Sequence, residues 1–584
     1  MNHSDATDTQ APANGKMLFA DRAARALLAG RQDDLFAPGD GWRQVKHNAS
    51  RTVFRGEISG RDVYLKQFHP HSALRRAMRK AGRSDAHREF LNCRQLAAAG
   101  VATTPALAAC CNGRGEWLLT EAIEPSEPAD RWHVRQLAAG SEGERAIRGA
   151  IDQLAELVGR MHAAGVFHDD LHCGNVLVQP TGGGAFRLVL MDLHRARRCR
   201  RLSRRLRTAN LAQLMHDRYE LTTRTQRLRF LKRYLAASGA GGSLRGWEYL
   251  VDRSARRHRR RQYAQRDRRI FRRNRYFTPI RLSGGWRGHV VLASKRRCAG
   301  SAAAGCTFTA EQWRAALADP DALADPARAE VCRDSSSYLL LRREIHVGGR
   351  ALDVHIHRPR CRSPRKYLLD CLRRPRVQRT FRLGHMLLTR HIPTALPLAV
   401  LEKRRPLART DSLLITEAAA GEKLDQFLCR WLAEKPRAES RLSPKDRRRL
   451  ERDLLRQLGR LLRRLHDHGF AHRNLKASSL LVQWTVGEKP ELLLADLDGL
   501  KRPLLLTQKH RLQGLMRLNV SLLRCGPVSR SGRLRMLLGY LRRPGAGRIR
   551  FKPYWRMLED WSARKLRRML ESRGRRRAAR RPTP

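Results

Sequence analysis

One short segment of this chain of 584 residues occurs twice. GVFHDDLHCGNVLVQ at 165–179 returns as GFAHRNLKASSLLVQ at 469–483, and RLVLMDLHRARR at 187–198 returns as ELLLADLDGLKR at 491–502. His168 and Asp192 thus recur as His472 and Asp496 at one common spacing. Downstream, RLRFLKRYL (227–235) is answered by RLRMLLGYL (533–541); upstream, VYLKQF (63–68) is answered by VHIHRP (354–359). Self-similarity over that reach requires two copies of one fold of roughly 250 residues, each large enough to close its own core.

Both copies read alike. TVFRGEISGRDVYLKQF alternates as a strand pair turning at Gly60, and SDAHREFLNCRQLAAAG is a charged helix stopped by Gly100. EWLLTEAI is a further strand. RAIRGAIDQLAELVGRMHAAG has helical apolar spacing and ends at Gly165, and NVLVQPTGGGAFRLVLMD is a hairpin turning on Gly182–Gly184. A small antiparallel lobe followed by a helical lobe is an α+β arrangement, here in tandem. The expected division is a polar N-terminal segment at 1–40, a first domain at 41–285, a linker and lead-in at 286–330 containing the small-residue run CAGSAAAGC, a second domain at 331–570, and a basic, frayed tail at 571–584.

Charge narrows the partners. With 119 Lys and Arg against 54 Asp and Glu, the formal charge is +65. Such an excess implies a polyanion, whether nucleic acid, an anionic membrane surface or a phosphorylated glycolipid. The arginine and aromatic run at 256–277 is the densest candidate for that contact. The start of the chain has no apolar signal core, and no run approaches ~18 apolar residues, the length a membrane span needs. Twelve scattered cysteines without a CxxC pair suggest reduced thiols. Together these features predict a cytoplasmic protein that meets an anionic partner or surface.

Residues with chemistry gather around the hairpin. Counted from its glycine turn, Asn175 and Asp192 fall opposite each other at the open end, and Asp170 lies on the loop leading in. Two carboxylates and an amide oxygen suit Mg²⁺ carrying phosphates. Zinc would need a tetrahedral His or Cys set, and His168, His172 and Cys173 have no partner cluster elsewhere.

HDDLHCGN (168–175) resembles the catalytic loop of the protein-kinase-like fold, His-x-Asp-Leu-x-x-x-Asn, and MDLHRARR resembles its metal-binding Asp segment with Leu-His in place of Phe-Gly. With RLRFLKRYL and the basic composition, the chain is most similar to the lipopolysaccharide core kinases, which phosphorylate heptose or Kdo sugars. The resemblance spans 41–285 and, more weakly, 307–570. It implies two tandem protein-kinase-like bilobal domains that use ATP and Mg²⁺ on a lipopolysaccharide core or another anionic glycolipid. It further implies that Asp170 accepts the proton of the attacking hydroxyl and that Asn175 and Asp192 hold Mg²⁺. Lys66 would contact the α- and β-phosphates and pair with Glu89, and LLTEAI, with Glu121, would be the adenine hinge. No GxGxxG precedes Lys66, so the phosphate-covering segment is either NASRTVF (48–54) or an unusual one. Asp169 replaces the usual Arg, which argues against control by activation-loop phosphorylation.

The second copy departs at the same positions. Asn474 stands for the base, Ser479 for the metal-binding Asn, Thr380 for Glu89, and His357 (or, in a shifted register, His355) for Lys66; only Asp496 remains. That pattern predicts a pseudokinase serving as scaffold or docking module. Rival readings are another small-molecule or protein kinase of this fold, and a non-enzymatic nucleic-acid or polyanion binder whose halves are both inert.

Overall fold

The computed structural model describes residues 17–578 apart from 29, 49, 70–83, 113, 217, 220, 295–302, 304, 337, 361–374, 404–410, 434–441, 487 and 543–549. The chain divides after Arg261 into two compact units.

In the first unit, β1 (Met17–Ala20), β2 (Arg43–Asn48), β3 (Arg51–Ile58), β4 (Arg61–Phe68), β5 (Ala106–Cys111) and β6 (Glu116–Glu121) form one antiparallel sheet in the order β1-β5-β6-β4-β3-β2. Period-two alternation sends Val63, Leu65, Trp117 and Leu119 to one face, where they pack with Ala24, Leu28 and Leu35. The other face meets Phe90 and Ala86 of the helix Asp85–Ala98 through Phe68, Ala109 and Leu118. Residues 17–36 are therefore part of the fold, not a loose polar segment. Polar residues in this stretch mask an apolar set spaced to cover one sheet face.

The helical lobe packs Gly140–Ala163 against Arg224–Ser238 around a core that includes Met161, Val176, Leu190 and Tyr234. β7 (Glu127–Pro128), β9 (Val176–Gly182) and β10 (Ala185–Leu190) make a three-stranded sheet, and β8 (Val166–His168) pairs with β11 (Ala196–Arg198).

The second unit repeats the plan with one more strand. β12 (Phe277–Arg281), β13 (Trp286–Val291), β14 (Glu330–Ser335), β15 (Tyr338–Val347), β16 (Arg350–Pro359), β17 (Pro397–Lys403) and β18 (Asp411–Glu417) order as β12-β13-β17-β18-β16-β15-β14. Its helical lobe is built on Pro444–Asp467, Gln508–Cys525 and Arg530–Leu541. β13 lies beside β17 as β1 lies beside β5, so each copy adds an upstream strand to the same sheet edge.

Three expected boundaries differ from this. Phe277–Arg281 belongs to the second sheet, and 286–330 holds a strand and the helix Ala310–Ala316, whose buried Trp313 donates its indole N–H to Val291 O at 2.7 Å. The small-residue run CAGSAAAGC drew the eye from the strand alternation on either side; most of it lies outside the described residues. At the other end, the helix Lys552–Ala578 runs into the expected tail. Residues 1–16 and 579–584 lie outside the described residues.

Candidate active site in the first copy

Lys66 sits on β4 opposite Leu118 of β6, on the face turned to the helix Asp85–Ala98. Its Nζ donates to Glu89 Oε1 at 2.5 Å, and both side chains are almost wholly buried. Burial alone would lower the ammonium, but the charges of Glu89 and Asp192 outweigh it and raise Lys66 above the ordinary lysine value. The helix carrying Glu89 is fixed at three points. Its N-cap Ser84 bonds Glu116 Oε2 at 2.5 Å, Glu116 also accepts from Ala86 N at 3.1 Å, and Asn92 Nδ2 donates to Leu193 O (3.0 Å) and Ala196 O (3.2 Å). The last bonds tie the Glu89 helix to the segment following Asp192.

The loop 168–175 is held from within. His168 Nδ1 accepts from Asp170 N at 3.1 Å, and its Nε2 lies 3.4 Å from Met191 O. Beneath it, Asn210 Nδ2 donates to His168 O (2.7 Å), while Asn210 Oδ1 accepts from His168 N (3.1 Å) and faces His162 Nε2 (3.0 Å). Asn175 is buried and spends its Nδ2 on Asp170 O at 3.0 Å, which leaves its amide oxygen as an acceptor or ligand. The Asp170 carboxylate stands more open, with His172 Nε2 and Arg195 Nη1 each 3.9 Å away. Asp169, by contrast, pairs with Arg197 at 2.8 Å.

The hairpin is not aligned as its glycines suggest. The register shifts between Ala185 and Phe186, so that Leu190 pairs with Val176 and Met191 N donates to Asn175 O at 3.0 Å. Asn175 therefore faces Met191, and Asp192 lies one residue beyond, in the left-handed region at φ 68°. A β-bulge produces such a one-residue slip. Both residues still mark the open end.

Asp192 is buried and doubly engaged. Its Oδ1 accepts from Arg51 Nη1 and lies 2.8 Å from His194 Nδ1, and its Oδ2 accepts from Arg51 Nη2 at 2.6 Å. Burial would raise this carboxyl, but hydrogen bonds from His194 and Arg51 and the charge of Lys66 hold it well below the carboxylate range. Ligating atoms of Glu89, Asp192 and His194 lie within 4.8 Å of one another. Glu89 Oε2 is buried without a hydrogen-bond partner among the described residues. Buried carboxylate oxygens, with Asn175 at the same open end of the hairpin, are the donor types of a hard divalent cation, so the residues present fit Mg²⁺. His172 and Cys173 join no such cluster among the described residues.

Glu121 ends β6 at the edge of the cleft, half-buried. Its N–H is taken by Pro105 O and that of Ala122 by Asp62 O, both at 2.9 Å.

Sequence reasoning did not single out Arg51, His194 or Asn210. His194 is visible as the His of DLH, and Arg51 lies in the NASRTVF segment. Asn210 left no signal, because its counterpart in the repeat is Gly514.

In the second copy, strand register makes His357, opposite Leu414, the equivalent of Lys66. His357 Nε2 lies 3.0 Å from Thr416 Oγ1, and Thr380 turns back to bond Arg376 O at 3.0 Å. Asp496 Oδ1 accepts from Asp498 N at 2.9 Å, and Ser479 Oγ donates to Asn474 O at 3.3 Å.

In the arginine and aromatic run most arginines are exposed, but the aromatic rings turn inward. Tyr263 is buried beneath the Arg390 guanidinium, 4.6 Å from its ring centre, Arg390 pairs with buried Asp267 at 2.8 Å, and Phe271 and Phe277 pack on the second core. Its aromatics are thus not an exposed stacking platform of the kind single-stranded nucleic acids use.

The sequence pattern of the lipopolysaccharide kinase (Kdo/WaaP) family matches residues 40–234 and again 347–540. The lipopolysaccharide core heptose(I) kinase WaaP of Pseudomonas aeruginosa strain PAO1 is 29% identical over 201 residues, which cover 32% of this chain and 73% of that protein. A solved structure of WaaP in complex with acyl carrier protein shares 26% identity and covers 41% of this chain and 98% of its own, with a TM-score of 0.33. Matched twice along its length, the chain is a tandem member of the lipopolysaccharide kinase (Kdo/WaaP) family, and so a kinase.

Proposed function

We propose that the protein transfers the γ-phosphoryl group of ATP to a hydroxyl of a lipopolysaccharide core sugar, a heptose or Kdo, using the first copy alone. The observation that carries this reading is the buried Lys66–Glu89 pair at 2.5 Å beside Asp192 and Asn175, a set the second copy has lost except for Asp496. Glu89 fixes the Lys66 ammonium toward the α- and β-phosphates. Asn175 and Asp192 hold Mg²⁺, which when bound neutralises charge on the phosphates. Glu121 and its neighbours meet adenine through the backbone. Asp170, the more exposed carboxylate, orients the sugar hydroxyl and takes its proton as the new O–P bond forms and the bond from phosphorus to the β-phosphate oxygen breaks. Phosphoryl transfer is mostly positioning and charge stabilisation, so preorganised side chains of these types are what it needs.

The second copy acts as scaffold or docking module. The excess of basic residues favours the anionic face of the inner membrane, where lipid-linked acceptors are held, at ~1 kcal/mol per basic residue near the surface. No helix among the described residues is long and apolar enough to cross a membrane. Core oligosaccharide from a deletion strain, analysed by mass spectrometry, should lack one phosphate, restored by the wild-type gene but not by Asp170→Asn. An unchanged phosphate content would overturn the proposal. Molar salt should release the protein from washed membranes, and retention until detergent is added would refute peripheral binding.

A further inference from the structure

Kinases of this general fold cover the phosphates with backbone amides of a glycine-rich loop. Here only two residues separate β2, which ends at Asn48, from β3, which begins at Arg51. The described amides of the turn are engaged: Asn48 Oδ1 accepts from Ser50 N (2.9 Å), Arg51 N (3.0 Å) and the Ser50 hydroxyl (2.8 Å). A turn so short and so engaged has little to offer a polyphosphate. Positive charge above the phosphates must come from a side chain.

Arg51 is placed to supply it. Val53 pairs with Lys66 across the β3–β4 ladder, so Arg51, two residues from Val53, shares the face of Lys66. Its guanidinium is mostly buried and forks both oxygens of Asp192. Glu89 and Asp170 add further attraction. A divalent cation needs those same Asp192 oxygens, so cation and guanidinium compete for them. Because Asn48 pins the Arg51 backbone, the displaced guanidinium stays at the mouth of the site, and a phosphate oxygen pair is the ligand its planar fork fits best. By strand register, the second copy has Tyr338 at this position, its hydroxyl 3.3 Å from His357 Nδ1. The arginine is missing where the lysine is missing.

We infer that Arg51 is a nucleotide-phosphate ligand doing the work of the glycine-rich loop, and that its ion pair with Asp192 is exchanged for phosphate as the metal binds. The inference rests on the kinase reading of the first copy. Three measurements on the full-length protein test it: Mn²⁺ binding without nucleotide by electron paramagnetic resonance, ATP binding by calorimetry, and steady-state kinetics. Arg51→Gln should tighten nucleotide-free Mn²⁺ several-fold and raise the KM for ATP about 10- to 100-fold, the range of a lost charge-assisted hydrogen bond. Its kcat should change less. Arg51→Lys, a point charge without the fork, should recover part of the KM and decides the matter by the same measurements if Arg51→Gln does not fold. Wild-type protein that binds no ATP would overturn this inference together with the kinase reading. Wild-type binding with Mn²⁺ affinity and KM unchanged in the variants would overturn the inference alone.

Discussion

The two copies share several internal braces, though not the one at Asn210, and differ in what the braces hold. His168 and His472 each accept a loop N–H on Nδ1, from Asp170 (3.1 Å) and Asn474 (3.2 Å). His162 meets the Tyr234 hydroxyl at 2.8 Å and His466 meets that of Tyr540 at 2.9 Å, while Arg207 and Arg511 donate to the carbonyls of those two histidines at 3.3 Å. Against this constancy, Lys66, Glu89, Asp170 and Asn175 give way to His357, Thr380, Asn474 and Ser479. Asp192 has a left-handed backbone, and Asp496 is not among the described residues that do. The histidine of the loop motif is thus a fold residue, holding its loop in both copies whatever stands at the neighbouring positions.

The largest expected effect breaks the pair at its chemical difference. Asp170→Asn should lower turnover ~10²–10⁴-fold with ATP binding nearly intact, whereas Asn474→Asp in that variant should restore nothing, because base, metal ligands and lysine act as a unit. Radiolabelled transfer to dephosphorylated lipopolysaccharide measures both, and recovered turnover in the double variant would remove the distinction between the copies.

Acid should separate the units next. Burial pushes His162 down to about 4 in the first unit, and His357, His385 and His466 down to about 3 in the second. Each is neutral when folded and takes up a proton on unfolding below its ordinary 6.5, so its contribution is full above pH 6.5 and is lost as pH falls toward the folded value. Each such group weakens the fold by about 1.4 kcal/mol per pH unit across that window. Further histidines are lowered in both units, at His69, His87, His133 and His168 in the first and at His289, His355 and His472 in the second, so the deeper shifts of His357, His385 and His466 should make the second unit open first. Pulse proteolysis at pH 7 and pH 5 with peptide mapping would show it, and equal loss in both units would contradict it.

A smaller effect tests the brace. Asn210→Ala removes the bonds to His162 and to both backbone groups of His168, at a cost of about 2–3 kcal/mol to be read from denaturant unfolding. The smallest runs in the opposite direction. His466 Nε2 is buried without a hydrogen-bond partner among the described residues, and a Cβ at Gly514, where the first copy has Asn210, would lie 3.0 Å from it. Gly514→Asn should stabilise by about 1 kcal/mol if the ring shifts slightly to accept the amide, and a lower unfolding midpoint would mean that it cannot.

What could be read in advance followed from local spacing. The repeat, the strand and helix alternation, and the order Lys66, Glu89, Asp170, Asn175, Asp192 are all carried by short segments. What could not be read depends on contacts between distant segments. Arg51 meets Asp192 across 141 positions, and an arginine on a strand end otherwise looks like a solvated charge. Asn210 belongs to a basic helix whose echo carries glycine. The bulge at Ala185 moved the hairpin by one residue, which the symmetric count about its glycines does not reveal. The upstream strands share no obvious sequence, so the repeat understated how much of each copy is structural.

Those upstream strands decide where this chain can be cut. A fragment ending at residue 290, just inside the expected linker of 286–330, would carry Phe277–Arg281 and nearly all of Trp286–Val291 away from the sheet they complete. Ile280, Trp286 and Val290, buried in the whole protein, would lie bare on one piece. The other piece would present β17 as a raw edge, ready to recruit any extended chain in solution. Expression of isolated halves therefore invites aggregation unless the break precedes Tyr263, Asp267 and Ile270, which also belong to the second unit, and poor yield from a fragment cut later would report on carpentry rather than on catalysis.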